Sequence, residues 1–401
     1  MASAQPATLP APDLKTELIT LNMGPQHPST HGVLRVLVTL DGETVVEAVP
    51  VVGYLHRAME KLAENRTWNQ FIPYTDRLDY LAPLSNNIAY VMSVEKLLQL
   101  QLPARLQAMR VVCCELARIS AHLLWLGTHA IDLGAITPFF YTFNDRERLY
   151  NIFEKMTGAR YTVSFARIGG ALRDFDDELL GMIRDFLSDF PKTIAEVDAL
   201  LTKNRIWCDR TRGIGIIEKD YAIGMGITGP SLRASGVDFD LRKKAPYLLY
   251  DQLDFEVPVG TVGDVYDRYL VRLEEMRQSV KIISQLLKNF PAGPYQVEDP
   301  KVTLPPKDKV LTRMEELIYQ FMLVTEMQVP AGEAYSAIEG PKGELGFYCI
   351  SGGAGRPWRT KIRSTSFMNL QCLQKIAKGA MVADLVAIIA SLDPVMGEVD
   401  K

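Results

Sequence analysis

Two helical segments in the middle of the chain are apolar on more than one face. They run over about 85–100 and 104–126, and a helix with apolar side chains all round has to be surrounded by other parts of a protein. Strand patterns lie on both sides of them, at about 16–22, 33–40, 43–51, 333–339, 344–351 and 357–363. The sequence therefore predicts an α+β fold with a small N-terminal β-sheet, a central helical bundle and a mixed C-terminal region.

Composition changes divide the 401 residues into four predicted regions. Residues 1–13 are rich in Ala and Pro and are predicted to form a disordered arm. The N-terminal sheet region covers 14–67 and the helical core covers 68–290, with further helices over about 137–157, 175–201 and 263–289. Prolines crowd the interval 291–306, so a C-terminal α/β region is predicted over 291–401, opening with a helix at about 309–326.

Composition also excludes several classes of partner and site. The net charge of −4 gives no electrostatic case for binding nucleic acid. Five cysteines without any Cys-x-x-Cys spacing predict no metal or iron-sulfur ligand set in this chain. Scattered thiols without a signal-peptide pattern predict a cytoplasmic location, and polar residues between 119 and 144 leave no run long enough to span a membrane.

A loop near the N-terminus holds two of the five histidines. Residues 24–32 read Gly-Pro-Gln-His-Pro-Ser-Thr-His-Gly, in which the prolines and glycines exclude both helix and regular strand. Imidazole titrates near neutrality, so the loop is a candidate for proton chemistry, although two histidines in a solvated turn are the simpler alternative. Asp132 follows His129 by three residues on one predicted helix. Asp132 therefore either hydrogen-bonds His129 locally or turns toward His31.

Three further motifs remain ambiguous on their own. The sequence of residues 224–229 matches the dinucleotide-binding fingerprint, which has to be followed by a helix that binds the pyrophosphate. Residues 230–236 are too short and broken to form that helix, so nucleotide binding is not predicted. Tyr80 follows a charged turn and either packs in a core or carries a phenol into an interior site. Arg57 and Glu60 are spaced to pair across one helical turn.

Taken together, six segments resemble the D-type subunit of bacterial NADH:quinone oxidoreductase, respiratory complex I. They are Gly-Pro-Gln-His-Pro-Ser-Thr-His-Gly-Val at 24–33, Gly-Tyr-Leu-His-Arg at 53–57, Glu-Asn-Arg-Thr at 64–67, Asp-Arg-Leu-Asp-Tyr at 76–80, Leu-Arg-Ala-Ser-Gly at 232–236 and Asp-Pro-Val-Met-Gly-Glu-Val-Asp at 393–400. This family is similar to the large subunit of [NiFe] hydrogenases, which implies a fold of that type. The nickel-binding Cys-x-x-Cys pairs would fall at Asp79 and Ala82 and at Val395 and Glu398. Because all four thiolates are missing, the resemblance implies a quinone headgroup in place of the metal.

The resemblance also implies roles for individual residues. His31 and Tyr80 would hydrogen-bond the quinone carbonyls as catalytic residues, with Asp132 supporting His31. Thr128 would help to line the quinone cavity, and Arg57 would lie close to an iron-sulfur cluster in the neighbouring subunit. A carboxylate behind His31 would favour its charged form, so His31 is the expected proton donor.

The function implied is that of a quinone-site subunit in a proton-pumping NADH:quinone oxidoreductase, inactive alone and without a cofactor of its own. It would take electrons from a partner's iron-sulfur cluster and help to reduce and protonate a membrane quinone. The implied partners are the cluster-bearing subunit, the C-type subunit of the peripheral arm and the H-type subunit of the membrane arm, on the cytoplasmic side of the bacterial inner membrane. Thr162 and Val163 stand where relatives often have histidines, so tuning of the cluster by a histidine is not predicted. The alternative is a non-catalytic scaffold that docks the cluster-bearing subunit onto the membrane arm.

Overall fold

The N-terminal region forms a three-stranded antiparallel sheet. The structure is a computed structural model that describes residues 17–27 and 30–401, so the predicted arm at 1–13 lies outside the described residues. The strands β1 (Leu18–Met23), β2 (Arg35–Asp41) and β3 (Thr44–Val51) pair in sequence order. The three predicted strands are confirmed, and the 24–32 loop connects β1 to β2.

The middle of the chain is helical, as predicted. Its elements are the helices α1 (Met59–Glu64), α2 (Trp68–Thr75), α3 (Pro83–Leu97), α4 (Ala104–Asp132), α5 (Thr137–Thr157), α6 (Asp177–Leu201), α7 (Arg205–Thr211), α8 (Lys219–Gly224), α9 (Pro230–Ala234), α10 (Leu241–Lys244) and α11 (Val265–Lys288), and the short hairpin of β4 (Ala166–Arg167) with β5 (Gly170–Ala171). α3 packs on α4, which also contacts α5 and α11. α4 continues past its predicted end near Leu126 to Asp132, because His129 and Ala130 are buried against neighbouring helices.

α4 is long and apolar enough, by length and composition alone, to cross a membrane. In the fold, however, 89% of its most apolar window is buried inside the protein. The apolar residues of α4 therefore form part of the protein core between helices.

The C-terminal region combines short helices with a second antiparallel sheet. Its elements are α12 (Lys307–Thr312), α13 (Met314–Glu326), β6 (Gly332–Gly340), β7 (Gly343–Ser351), β8 (Pro357–Arg363), α14 (Thr365–Leu370), α15 (Leu373–Ile376), α16 (Val382–Leu392) and α17 (Met396–Val399). The single helix predicted over 309–326 is wrong. Arg313 adopts an extended backbone (φ −128°, ψ 131°) between two helices. Its amide donates to the carbonyl of Lys309 at the end of α12, and its carbonyl accepts from the amide of Leu317 in α13.

Two apolar clusters hold these elements together. The larger one surrounds α3, α4, α6 and α11 and includes the inner face of β6 and β7. The second joins the inner face of the N-terminal sheet, through side chains such as Val36 and Val38, to Ile388 and Met396 near the C-terminus. The two ends of the chain are therefore folded against each other. The four-region division and the hydrogenase type of fold both remain predictions.

Candidate functional site

The loop between β1 and β2 is folded back on itself and presents His31. A Cβ at Gly24, whose φ is +86°, would lie 2.1 Å from the carbonyl oxygen of Leu34, so only glycine permits this close approach. The Leu34 amide donates to the carbonyl of Thr30, and Thr30 Oγ1 donates to the carbonyl of His27 at 2.7 Å. His31 itself has a left-handed backbone (φ 49°), and its Nε2 is buried without a hydrogen-bond partner among the described residues.

The electrostatic surroundings of His31 differ from the expectation. Burial, followed by the positive charge of Lys342, lowers the pKa of His31 from 6.5 to about 4. Within the described part of the chain, no hydrogen bond joins His31 to Asp132. The prediction that the charged form of His31 is favoured is therefore wrong for this chain, because burial and, after it, a nearby buried cation disfavour the charge.

Tyr80 lies in the turn between α2 and α3 and is half-buried. A Cβ at Gly397 in α17 would lie 3.1 Å from Tyr80 Cδ1, so the C-terminal helix packs directly on this ring. Burial, followed by the carboxylate of Asp79, raises the pKa of Tyr80, whereas Lys342 and Arg57 act in the opposite direction. The phenol therefore stays protonated at neutral pH and can donate a hydrogen bond.

Lys342 is buried between carboxylates close to Tyr80. Its ammonium lies 3.1 Å from Asp79 Oδ2 and 3.3 Å from Asp393 Oδ2. Burial opposes the charge on Lys342, but the two carboxylates outweigh it and raise its pKa. Glu398, the next acidic group, accepts from the Thr365 amide at 2.5 Å and from a serine hydroxyl at 2.6 Å.

Asp79 and Glu398 stand at two of the four positions where the resemblance would place nickel-binding thiolates. The space beside them has a volume of about 10 Å³, which is enough for about one water molecule. Among the residues that the structure describes, no group of three or more His, Cys, Asp or Glu side chains could hold a metal ion. An ammonium ion paired with carboxylates fills this part of the protein.

The glycine-rich segment 224–229 explains how Lys342 is held. It follows a helix, α8, rather than the strand that a dinucleotide fingerprint needs, and α9 has only five residues. A Cβ at Gly229 (φ +73°) would lie 2.2 Å from the carbonyl oxygen of Lys342. Thr228 Oγ1 accepts a hydrogen bond from the Glu344 amide at 3.0 Å. The glycine therefore lets this loop press on the β6–β7 turn that carries Lys342.

The buried charges continue from Lys342 into the helical core. Arg272 on α11 lies over the ring of Trp125, 4.1 Å from its centroid, and electrostatically faces Asp393. One turn further along α11, Glu275 accepts from His122 Nε2 at 2.8 Å and from Arg233 at 2.6 Å. These side chains are all buried, so each charge is compensated by protein groups rather than by solvent.

Asp132, Thr128 and His129 lie on the last turns of α4. Burial raises the pKa of Asp132 from 3.8 to about 6. Thr128 Oγ1 donates within its own helix to the carbonyls of Leu124 and Trp125, at 3.0 and 3.2 Å. Both ring nitrogens of His129 lack a hydrogen-bond partner among the described residues, so the local His129–Asp132 bond is not formed. Support of His31 by Asp132 stays a prediction.

Arg57 belongs to a loop that is tied to the C-terminus. Its guanidinium donates to the carbonyl of Arg77 at 2.7 Å and does not pair with Glu60, which instead binds Lys361. The carboxylate of Asp400 accepts from the amides of residues 53 and 55, at 2.9 and 2.7 Å. Arg57 is exposed and is thus available to another subunit.

Sequence reasoning missed Lys342. The turn Gly340-Pro-Lys-Gly343 has the composition of an exposed hairpin, and nothing within it signals burial. The partners of Lys342, Asp79 and Asp393, are 263 and 51 residues away in the chain, so the sequence does not indicate that these charges meet. Neither of two cavities of about 510 and 550 Å³ in the described part of the chain is lined by any of the five predicted site residues.

Comparison with known proteins identifies the family. Residues 132–401 match the family described as respiratory-chain NADH dehydrogenase, 49 Kd subunit, which covers well over half of the chain. The chain belongs to this family.

Full-length relatives agree with that assignment. The chain is 56% identical over 386 residues to the D-type subunit of the NADH-quinone oxidoreductase of Methylacidiphilum infernorum, a match that covers 96% of this chain and 92% of the relative. It is 58% identical over 385 residues to a D-type subunit of the same enzyme in Opitutus terrae, with 96% and 90% covered. The D-type subunit from Geotalea uraniireducens is 52% identical over 387 residues, with 96% and 99% covered. The resemblance inferred from six motifs is confirmed.

Proposed function

We propose that this D-type subunit forms the quinone site of a proton-pumping NADH-quinone oxidoreductase. It would receive electrons from an iron-sulfur cluster in a partner subunit and help to reduce and protonate a membrane quinone. We further propose that its partners are the cluster-bearing subunit, the C-type subunit of the peripheral arm and the H-type subunit of the membrane arm, and that it is peripheral on the cytoplasmic side of the bacterial inner membrane.

One observation carries the proposal. The buried ammonium of Lys342 acts electrostatically on both His31, in the loop between β1 and β2, and Tyr80, in the turn between α2 and α3. Two side chains that can donate hydrogen bonds therefore lie near the same fixed positive charge. Reduction of a quinone places negative charge on its two oxygens, and donors fixed in advance stabilise that charge.

The roles of the residues follow from their protonation states. Tyr80 keeps its phenolic proton and donates to one quinone oxygen, since its pKa is raised. His31 is a neutral imidazole that donates from one ring nitrogen to the other oxygen. Complete reduction takes two electrons and two protons. Electrons arrive from the partner's cluster, beside which Arg57 would lie, and the protons reach the oxygens through the two donors.

The proposal is tested in the assembled enzyme with His31→Met and Tyr80→Phe, neither of which can donate a hydrogen bond from its side chain. Losing one such donor is expected to lower quinone reduction by about 10²-fold, the effect of a removed oxyanion donor. His27→Met in the same loop and Tyr221→Phe, at a partly exposed position, serve as matched controls and should keep their activity. NADH oxidation with an artificial acceptor, together with electron paramagnetic resonance of the clusters, reports whether the rest of the enzyme is intact.

The alternative scaffold function makes the opposite prediction. If both variants assemble with intact clusters and reduce quinone at the rate of the unmodified enzyme, the subunit only docks its neighbours. Loss of quinone reduction together with loss of the partner's cluster would also contradict the catalytic roles.

A further inference from the structure

Four buried polar atoms beside the His31 loop have no hydrogen-bond partner among the described residues. They are Nε2 of His31, both ring nitrogens of His129 and Nε of Arg272. His129 and Arg272 share a neighbour, since the His129 ring stacks on Trp125 and the Arg272 guanidinium lies over the Trp125 ring. His31 and Arg272 are also among the groups whose charge acts on His129. Buried polar atoms are nearly always hydrogen-bonded to protein or to ordered water, and several of them in one polar space indicate water.

Aromatic contacts hold His129 in place, and within the described chain its ring nitrogens make no hydrogen bond. Its ring stacks on Trp125 with centroids 5.1 Å apart and meets the edge of Trp207 at 5.3 Å. The charged and titratable groups that face it are His31 from the loop and Arg272 and Arg268 from α11. Burial and these neighbours lower the pKa of His129 to about 3, so the ring is neutral. A neutral imidazole offers one N–H donor and one acceptor nitrogen.

His31 cannot store the proton that it would deliver. With a pKa of about 4, it carries no additional proton at neutral pH. A proton that leaves it has to be replaced from its other nitrogen during the reaction, because an uncompensated imidazolate would be a new buried anion. The buried Nε2 is the nitrogen that faces away from solvent and is without a partner among the residues described.

We propose, on the basis of the function proposed above, that His129 is a positioning residue for His31 and that ordered water joins the two imidazoles. The proton on Nδ1 of His31 passes to the reduced quinone oxygen, and the bridging water gives a proton to Nε2. His129 restores that water from its N–H and accepts a proton at its second nitrogen. Each proton that leaves is matched by one that enters, so the protein's charge is unchanged.

Asp132 supplies the outer end of this route. It lies three residues after His129 on α4 and therefore on the same side of the helix, and it is only half-buried. Burial raises the pKa of its carboxyl to about 6, so a part of it is protonated near neutral pH and exchanges with solvent. Among the described residues Asp132 makes no direct bond to His129, so the proposed route includes a second water between them.

The test compares His129→Phe with His129→Gln in the assembled enzyme. Phenylalanine keeps the stacked ring but has no exchangeable proton, whereas glutamine keeps a donor and an acceptor. We expect His129→Phe to lower kcat for quinone reduction at least about 10-fold with little change in KM, and His129→Gln to retain a rate within about 3-fold of the unmodified enzyme. Trp207→Phe alters the ring contact alone and should retain its rate.

The pH profile separates a proton route from a packing effect. In His129→Phe, protons must come directly from solvent, so the residual rate should fall as the pH rises from about 6 to 8 and its solvent deuterium isotope effect should increase. Equal losses in His129→Phe and His129→Gln, or an unchanged pH profile, would overturn the inference. His129→Met, which also lacks an exchangeable proton, replaces His129→Phe if the latter does not assemble.

Failure of this inference differs from failure of the proposed function. If His31→Met abolishes quinone reduction while His129→Phe leaves it unaffected, the quinone site stands and the route through His129 is wrong. If His31→Met has no effect either, the proposed function itself fails.

Discussion

Replacing Lys342 by Met should destabilise the protein strongly and in a pH-dependent way. The ammonium is the shared partner of Asp79 and Asp393, at 3.1 and 3.3 Å, and all three side chains are buried. Removing one partner of a buried ion pair leaves an uncompensated charge and costs about 3–5 kcal/mol. We expect a loss of this size in the free energy of unfolding at neutral pH, because methionine fills the space but carries no charge.

The sign of the pH dependence follows from the carboxylates. Burial already raises the pKa of Asp393, and without Lys342 it should rise further, since the neighbouring positive charge is lost. An acid whose pKa is raised by folding destabilises the protein above its unfolded pKa, and this penalty disappears as the pH falls through its folded pKa. The difference from the unmodified protein should therefore be largest at about pH 8 and shrink toward about pH 5.

Urea unfolding of the full chain, followed by circular dichroism between about pH 5 and 8, measures this effect. Lys342→Met combined with Asp79→Asn and Asp393→Asn is the matched control, since it removes all three charges. Its stability should recover most of the loss and depend less on pH. Asn tolerates the left-handed backbone of residue 393, whose φ is 53°. A loss below about 1 kcal/mol for Lys342→Met, or one that is constant with pH, would refute the reasoning.

Three further substitutions test neighbouring parts of the structure. Glu275→Gln removes a buried carboxylate whose pKa is held well below 4.5, so a loss of about 3–5 kcal/mol in urea unfolding should persist at neutral pH and shrink only in acid below about pH 4.5. Asp400→Asn weakens two hydrogen bonds to the backbone of the 53–55 loop, and hydrogen exchange of those amides should accelerate. Gly229→Ala sets a Cβ 2.2 Å from the carbonyl of Lys342 and should lower both Tm and quinone reduction, whereas Gly224→Ala, with open space around it, should change neither.

Local patterns were sufficient to predict most elements of the fold. The N-terminal strands and the interior helices α3 and α4 follow from hydrophobic periodicity and turn residues close in the chain. The break at Arg313 could not be predicted in this way, because Thr312 and Arg313 carry no proline or glycine signal.

The electrostatics of the site could not be predicted from local patterns. The motifs around His31 and Tyr80 are visible in the sequence, but their burial, which is the largest influence on both pKa values, and the nearby charge of Lys342 depend on segments that are distant in the chain. Burial of Lys342 depends on the loop at Gly229 pressing on the β6–β7 turn. A carboxylate three residues from His129 suggested a local bond, yet within the described chain the helix leaves both ring nitrogens unpartnered.

The charge of Lys342 connects the stability of the site with its proposed chemistry. Burial and, after it, the ammonium that compensates the carboxylates lower the pKa of His31, so His31 stays neutral and has to be supplied with protons from behind. In the charge-free triple variant the fold is relieved of unpaired carboxylates, but the pKa of His31 should rise only in part, because burial, the larger cause, remains. His31 should therefore stay neutral at neutral pH and still depend on His129. A triple variant in which His129→Phe no longer lowers quinone reduction at neutral pH would show that the charge of Lys342, rather than burial, sets the need for the relay.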